Sequence, residues 1–425
     1  MLVGLALRLL YAHFLAVGGG RGDDLWYHAM ANAIADGHGL RVPRKLLAGS
    51  SLTDYSGGTL PTAYHPPLFP ALLAVASKLG LTSYGAHRAV GCAMGAATVA
   101  VVGLAGRRLA GDRLGLVAAA LAAVYVPAIA NESVLMSESL YGLTIAATIL
   151  AAVWLIERPS ARRAVVLGAA IGIATLTRAE ALLLVLLLVP LAVRRAPARR
   201  LRLAGVAALA AAVVVGPWCL RNTLEFDRPV GVSTGDGGVL AGANNHDAYY
   251  GPQKGAWNLG GLSGAPAPPV GPSFDAALSA RLRRKGLDYA GDHLGRLVPV
   301  IGVRVLRTWS AWPLDPEDKV TYNAFVGGRD RGAEWAALLV GWVVMALAVA
   351  GAIALRRRAA PLAPLVAPLV LVTVVSALFF GDVRFREAAD VSLVLLAAAA
   401  LSRLPAPGAA SAGAPSARAP ASPAG

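Results

Sequence analysis

The sequence predicts an all-α polytopic membrane protein of about ten transmembrane helices, with juxtamembrane helices and one long outer loop. Three observations carry that expectation. Of 425 residues, 56% are hydrophobic and 15% charged, and the mean hydropathy is +0.59, too apolar for a soluble chain of this size. Apolar runs of about 15–25 residues recur between charged breaks. The formal charge of +15 sits in short arginine clusters between those runs rather than on one amphipathic face, which is the positive-inside pattern and not a nucleic-acid footprint.

The first run, Leu2–Val17, carries Arg8 and His13 and no small-residue cleavage site, so it reads as a short span rather than a signal peptide. The following runs are Ala86–Gly106, Leu114–Ala130, Ser139–Ile156, Ala164–Thr177 and Ala181–Val193. Leu203–Pro217, Ala333–Leu355, Leu362–Phe380 and Ala388–Leu401 complete the set. With the amino terminus inside, every short basic loop falls on the cytoplasmic side: Arg107, Arg108 and Arg113; Arg158, Arg162 and Arg163; Arg194 to Arg202; and Arg356 to Arg358. One extra or missing span upstream reverses the later clusters, so their agreement supports the whole assignment. Cys92 and Cys219 are too far apart in sequence to suggest a disulfide framework or a thiolate metal motif.

The opposite face receives the polar chemistry. Gly22-Asp23-Asp24-Leu25-Trp26-Tyr27-His28 follows the first span and packs two carboxylates, two aromatics and a histidine into one or two helical turns. Ionisable groups at a membrane are costly, so such a cluster points to function. The alternative is that one aspartate caps a short helix while Trp26 and Tyr27 lie in an interfacial belt. Tyr64-His65-Pro66-Pro67 opens an apolar stretch to Leu81 that reads as a juxtamembrane or re-entrant helix, since a further span there inverts the arginine pattern. His65 either caps that helix or belongs to the site. After Pro217-Trp218 comes a Gly-, Asn- and Pro-rich region with Ser233–Gly238 and Asn244-Asn245-His246. It reads as an ordered outer loop with helices over Asp275–His293 and Arg296–Trp312. Its glycines follow no strand, so a dinucleotide site is not expected, and no phosphate loop or soluble α/β domain stands on the inner side.

The outer face thus collects Asp23, Asp24, Glu132, Glu138, Glu180 and Asp382 with Arg178, Arg221, Arg384 and Arg386. Guanidinium forks bind phosphate, and a carboxylate can take a proton from an attacking hydroxyl, so the set suits chemistry on an anionic lipid headgroup.

The same residues carry a resemblance. Asp23-Asp24-Leu25-Trp26-Tyr27-His28, Tyr64-His65-Pro66-Pro67-Leu68, Leu135-Met136-Ser137-Glu138, Thr177-Arg178-Ala179-Glu180, Pro217-Trp218-Cys219-Leu220-Arg221-Asn222, Ser233–Gly242 and Gly381-Asp382-Val383-Arg384-Phe385-Arg386 occur in order. Together they resemble the GT-C membrane glycosyltransferases, in the branch of protein O-mannosyltransferases and lipid A aminoarabinose transferase. The resemblance implies a GT-C fold and an inverting transfer of a sugar, hexosyl or pentosyl, from a polyprenyl-phosphate donor to a hydroxyl of a glycan, protein or lipid outside the cytoplasm. It implies a multi-pass protein of the plasma (inner) membrane, in contact with membrane lipid and not with nucleic acid.

By the same resemblance Asp23 is the acid/base residue and Glu138 the second essential acid. The donor, acceptor or both would be held by Asp24, Tyr27, His28, Tyr64, His65, Arg178, Glu180, Arg221, Asn222, Asn244, Arg384 and Arg386. A divalent cation, Mg or Mn, would fall to Asp23, His65 and Glu138. For Glu138 the alternative is a carboxylate at a helix start, and for Arg221 an interfacial anchor. The expected layout is one domain, residues 1–404, whose outer loops 18–85 and 218–332 form the active-site face. A disordered cytoplasmic Ala/Pro-rich tail, 405–425, follows. A transporter or flippase is disfavoured by midspan positions that are almost all Ala, Leu, Val and Gly. A polymerase or ligase of lipid-linked glycans shares the outer-face chemistry.

Overall fold

The computed structural model describes residues 1–15, 22–45 and 52–402. The expected disordered tail lies outside the described residues. The helices begin with α1 (Leu2–Phe14), α2 (Asp23–Ala35), α3 (Leu68–Lys78), α4 (Tyr84–Ala110), α5 (Asp112–Val124), α6 (Val126–Glu132), α7 (Glu138–Glu157) and α8 (Ala161–Thr177). A 3-10 turn (Ala179–Leu183) leads into α9 (Leu184–Leu187) and α10 (Val189–Val193), followed by α11 (Arg200–Phe226). The outer region holds α12 (Asp236–Ala243), α13 (His246–Tyr250), α14 (Phe274–Asp292), α15 (Leu294–Thr308) and α16 (Pro316–Gly327). The chain returns through α17 (Arg331–Arg357), α18 (Ala363–Leu378) and α19 (Glu387–Leu401).

Helices form within each of the ten apolar runs, yet among the described residues only four helices qualify by length and composition as full spans: Tyr84–Ala110, Glu138–Glu157, Pro197–Phe226 and Arg331–Arg357. A fifth is made by α5 and α6 together, which bend by 56° at Tyr125. The bend is local chemistry, because Pro127 lacks an N–H and disfavours helical backbone just before it. The other apolar helices, at about 1.5 Å per residue, reach about 20–25 Å and fall short of a bilayer core of about 30 Å. The run Ala181–Val193 is broken into short turns around Pro190. Outward-facing Leu209, Val213 and Leu220 on α11, with Val343, Val349 and Ile353 on α17, are exposed apolar side chains that a bilayer would cover.

α19 is the hub, buried on nearly every face, with α17, α18, α5 and α7 packed round it. α8 runs against α11 so closely that a Cβ on Gly168 would stand 2.0 Å from the Ala207 carbonyl oxygen. On the outer side α2 lies on α3, and beside them Arg41–Pro43 (β1) pairs antiparallel with Thr59–Pro61 (β2). Three-residue strands are too short to show alternation, and this hairpin was not among the sequence expectations. Residues 218–332, expected as a loop carrying two helices, hold five, with α12 packed on α14. In α15 the arginines turn inward: Arg304 and Arg307 are buried, and Leu294 and Val298 face out.

Candidate active site

Asp23 is the first residue of α2, where a carboxylate is favoured by the unpaired amides of the helix start. Its Oδ1 faces His65 Nε2 at 3.3 Å. His65 is fixed by packing, stacked on Tyr27 at 4.8 Å between centroids and set edge-on to Trp26 at 4.9 Å. Trp26 and Tyr27 are buried against Phe69, Leu73 and Leu135, so they form this outer core rather than a membrane belt. The Thr62–Tyr64 turn that presents His65 is tied to α14, since Asp275 Oδ2 accepts from the Thr62 hydroxyl at 3.0 Å and the Ala63 amide at 3.1 Å.

The break between α8 and the following 3-10 turn carries Arg178 and Glu180 to the same face. Arg178 donates to Glu138 Oε1 at 3.1 Å and Glu180 Oε1 at 2.6 Å, with its guanidinium over the Tyr141 and Phe385 rings. Arg384 enters from the turn before α19, where Asp382 caps it by accepting from the Arg384 amide at 2.9 Å. Burial raises the Asp23 carboxyl, but facing His65 and the charges of Arg384 and Arg178 outweigh it and hold the group at about 2. Burial opposes the charge on Arg178, yet Glu180 and Glu138 raise it above its ordinary value. Asp382, Glu138 and Asp23 do the same for Arg384. Burial, then Asp23, pushes the Tyr27 and Tyr64 hydroxyls upward, so both stay neutral donors.

Asp23, Tyr27, Tyr64, His65, Glu138, Arg178, Glu180 and Arg384 are therefore one electrostatically connected group. Glu138 Oε2 is a buried polar atom without a hydrogen-bond partner among the described residues, while His65 Nε2 and Arg384 Nε have only the contacts to Asp23 Oδ1 at 3.3 Å and Asp382 Oδ2 at 3.7 Å. Polar groups buried in this way call for a partner, which a polar ligand supplies. No group of three or more His, Cys, Asp or Glu among the described residues is arranged to hold a metal ion. Glu138 is taken up by Arg178 and Asp23 faces His65, so these side chains do not assemble the divalent site expected of Asp23, His65 and Glu138.

The structure places the other expected site residues elsewhere. Asp24 turns to the far side of α2, accepting from the Gly22 amide at 3.0 Å and the Tyr84 hydroxyl at 2.7 Å, a cap and brace. His28 lies on that side too, its Nδ1 3.0 Å from His87 Nδ1. Arg221 braces the hairpin through the Thr62 and Leu40 carbonyls, at 3.1 and 3.0 Å, and Asn222 donates to the Gly231 carbonyl at 2.9 Å. Asn244 is held among Leu240, Tyr249 and Arg304. Arg386, two residues from Arg384 on a tight turn, points into the bundle onto Asp390 at 3.0 Å and Ser310 at 3.1 Å. Glu132, expected on the outer face, is buried against Arg8. Reading the charges as one outer set missed this, because at a helix end a one-residue step turns a side chain by about 100°.

The architecture is similar to that of a solved archaeal oligosaccharyltransferase. A family model described as dolichyl-phosphate-mannose-protein mannosyltransferase matches residues 64–220, which include His65, Glu138, Arg178 and Glu180. Among solved structures, the archaeal oligosaccharyltransferase AglB from Archaeoglobus fulgidus, in complex with an inhibitory peptide and a dolichol-phosphate, is similar at TM-score 0.53 and 15% identity. The alignment covers 94% of this chain and 49% of that one. The apo form of the Archaeoglobus fulgidus oligosaccharyltransferase aligns at the same TM-score with 14% identity and the same coverage. The chain thus spans about half the length of the oligosaccharyltransferase it matches. ArnT from Cupriavidus metallidurans bound to undecaprenyl phosphate aligns over 95% of this chain and 77% of its own, at 16% identity and TM-score 0.41, too loose to bear on the fold. No curated protein matches the sequence.

Proposed function

We propose that this chain is an inverting glycosyltransferase that moves a sugar from a polyprenyl-phosphate donor to an acceptor hydroxyl on the non-cytoplasmic face of the plasma (inner) membrane. The ten helical apolar segments act as ten spans, and residues 1–404 form one transferase domain. The observation that supports this reading is the convergence of Asp23 and His65 with the guanidiniums of Arg178 and Arg384 on one face of a GT-C fold. Arg178 and Arg384 receive the donor phosphate, whose charge grows as the bond from the anomeric carbon to the phosphate oxygen breaks. Asp23 orients the acceptor hydroxyl, which attacks that carbon from the opposite side and passes its proton to the carboxylate. Glu138 holds Arg178 in place, and Tyr27 and Tyr64 offer neutral hydroxyls to the sugar or acceptor.

A carboxylate held at about 2 is a poor base in the empty site. The donor phosphate changes that, because it neutralises Arg178 and Arg384 and so removes part of what holds Asp23 down.

The test uses purified protein in liposomes supplied with polyprenyl-monophosphate sugars and, separately, with polyprenyl-diphosphate oligosaccharides, scoring released lipid phosphate in wild type and Asp23→Asn. Release from the monophosphate donor that Asp23→Asn abolishes is the expected result. Release from the diphosphate donor alone would point to a ligase of lipid-linked glycans, and release from neither would return the protein to transport.

A further inference from the structure

Inside the bundle lies a second set of charges that the proposed transfer does not use. Arg8 of α1 pairs with Glu132 of α6, Arg329 with Glu334 at 2.8 Å, and Arg386 with Asp390 at 3.0 Å. Glu387, the first residue of α19, has no such partner: its Oε2 accepts from the neutral amide of Asn131 at 2.8 Å. Three guanidiniums therefore face four carboxylates, all of them buried. A net charge sealed in a membrane bundle is among the costliest arrangements a protein can hold.

The carboxyls of Glu132, Glu387 and Asp390 line a cavity of about 20 Å³, enough for about one water. Glu387 Oε1 stands 2.8 Å, and Glu132 Oε1 3.8 Å, from the point a Cβ on Gly142 would occupy, so both oxygens meet at the same glycine, one turn below Glu138 on α7. Glu132 Oε1 and Asp390 Oδ2 have no hydrogen-bond partner among the described residues. The surrounding elements contribute Arg8 from α1, the Tyr125 hydroxyl from the α5–α6 bend, Glu138 from α7, and Arg329 through Asn131 at 2.6 Å. These carboxylates do not converge closely enough to wrap a metal ion.

We propose that Glu387 and Glu132 form a buried proton-binding site, with one proton on Glu387 donated toward the free oxygen of Glu132, directly or through a water in the cavity. The proton removes the surplus charge and gives Glu132 Oε1 its missing donor. Infrared spectra of the full chain in lipid nanodiscs at neutral pH should show the C=O stretch of a neutral carboxylic acid. Glu387→Gln should lack it and Asp390→Asn should keep it. Because the native state holds a proton that the unfolded chain releases, stability is lost as pH rises above the unfolded glutamate value of about 4.3. The wild-type unfolding constant should then grow about tenfold per pH unit relative to Glu387→Gln until the site itself empties. Glu387→Gln, a neutral isostere, should fold, match the wild type near pH 4 and be the more stable at neutral pH, by about 10²–10³-fold in the unfolding constant. The proposal is overturned by a wild-type spectrum without the acid band, by a band that disappears in Asp390→Asn instead, or by a Glu387→Gln chain that fails to fold. It is overturned too if the unfolding midpoint rises with sodium chloride over choline chloride, which would mark a metal-ion site.

Discussion

Arg178 offers the sharpest separation of what holds the site together from what the site does. Its partner Glu138 is 2% exposed, while Glu180 is 20% exposed and can turn to water. Arg178→Met keeps the apolar stem against Tyr141 and Phe385 but leaves Glu138 a buried carboxylate with neither oxygen paired, a loss of about 3–5 kcal/mol. Glu138→Gln alone leaves Arg178 its bond to Glu180 and costs about 1–2 kcal/mol. The double variant removes both charges together, so it should recover about 2–3 kcal/mol relative to the sum of the singles. Denaturation of the purified variants in detergent gives the cycle. Sugar transfer should stay at least about 10²-fold down in the double variant, because nothing then neutralises the leaving phosphate on that side. Additive stabilities would refute the buried pair, and recovery of activity along with stability would reduce Arg178 to a structural residue.

Asp23→Asn should lower transfer by about 10²–10⁴-fold with membrane insertion intact, checked by the liposome assay and by protease protection. Asp24→Asn should instead lose about 1 kcal/mol of stability and little rate, since Asp24 caps α2 and braces Tyr84, as thermal unfolding can show. Asp23 is depressed in the folded protein, so its share of stability is complete above the unfolded carboxylate value of about 3.9 and lost as pH falls toward 2. The kcat/KM profile should accordingly carry no acid limb from Asp23 between about pH 5 and 8. A cysteine at Gly251 should react with a membrane-impermeant thiol reagent in whole cells, whereas one at Arg357 should not.

The helices were legible because apolar runs between arginine clusters state their own ends. The helix expected from Pro67 to Leu81 is present as α3, 11 residues long. The pairing of Asp23 with His65 was half legible, since both flank the first outer segment and nothing in either neighbourhood sets their separation. Asp24, His28, Arg221, Asn222, Asn244 and Arg386 were read as site residues on proximity in sequence or motif, and each was lost to geometry. A helix turns adjacent side chains about 100° apart, so Asp23 and Asp24 part at once. Arg384 and Arg386 separate for the same reason across a 3-10 turn.

A transport path is disfavoured by where the buried charges lie. In the sequence, midspan positions are almost all Ala, Leu, Val and Gly, and the bundle in fact buries Arg8, Glu132, Glu387 and Asp390. Glu132, Glu387 and Asp390 sit near helix ends that the sequence alone places at the surface, Arg8 lies at the middle of α1, and their burial accompanies the enclosure of α19 on nearly every face. What distinguishes them from the outer cluster is enclosure. Below, each guanidinium is locked to a carboxylate, and the free oxygens face a cavity no larger than a water. Above, Glu138 Oε2 lacks a partner, and His65 Nε2 and Arg384 Nε have only contacts of 3.3 and 3.7 Å, to Asp23 and Asp382. A conduction path needs repeated, exchangeable sites through the bundle, whereas a transfer site needs its unsatisfied groups gathered at one face, where both substrates can reach them. The distribution of unpaired atoms, more than the count of charges, is what favours transfer.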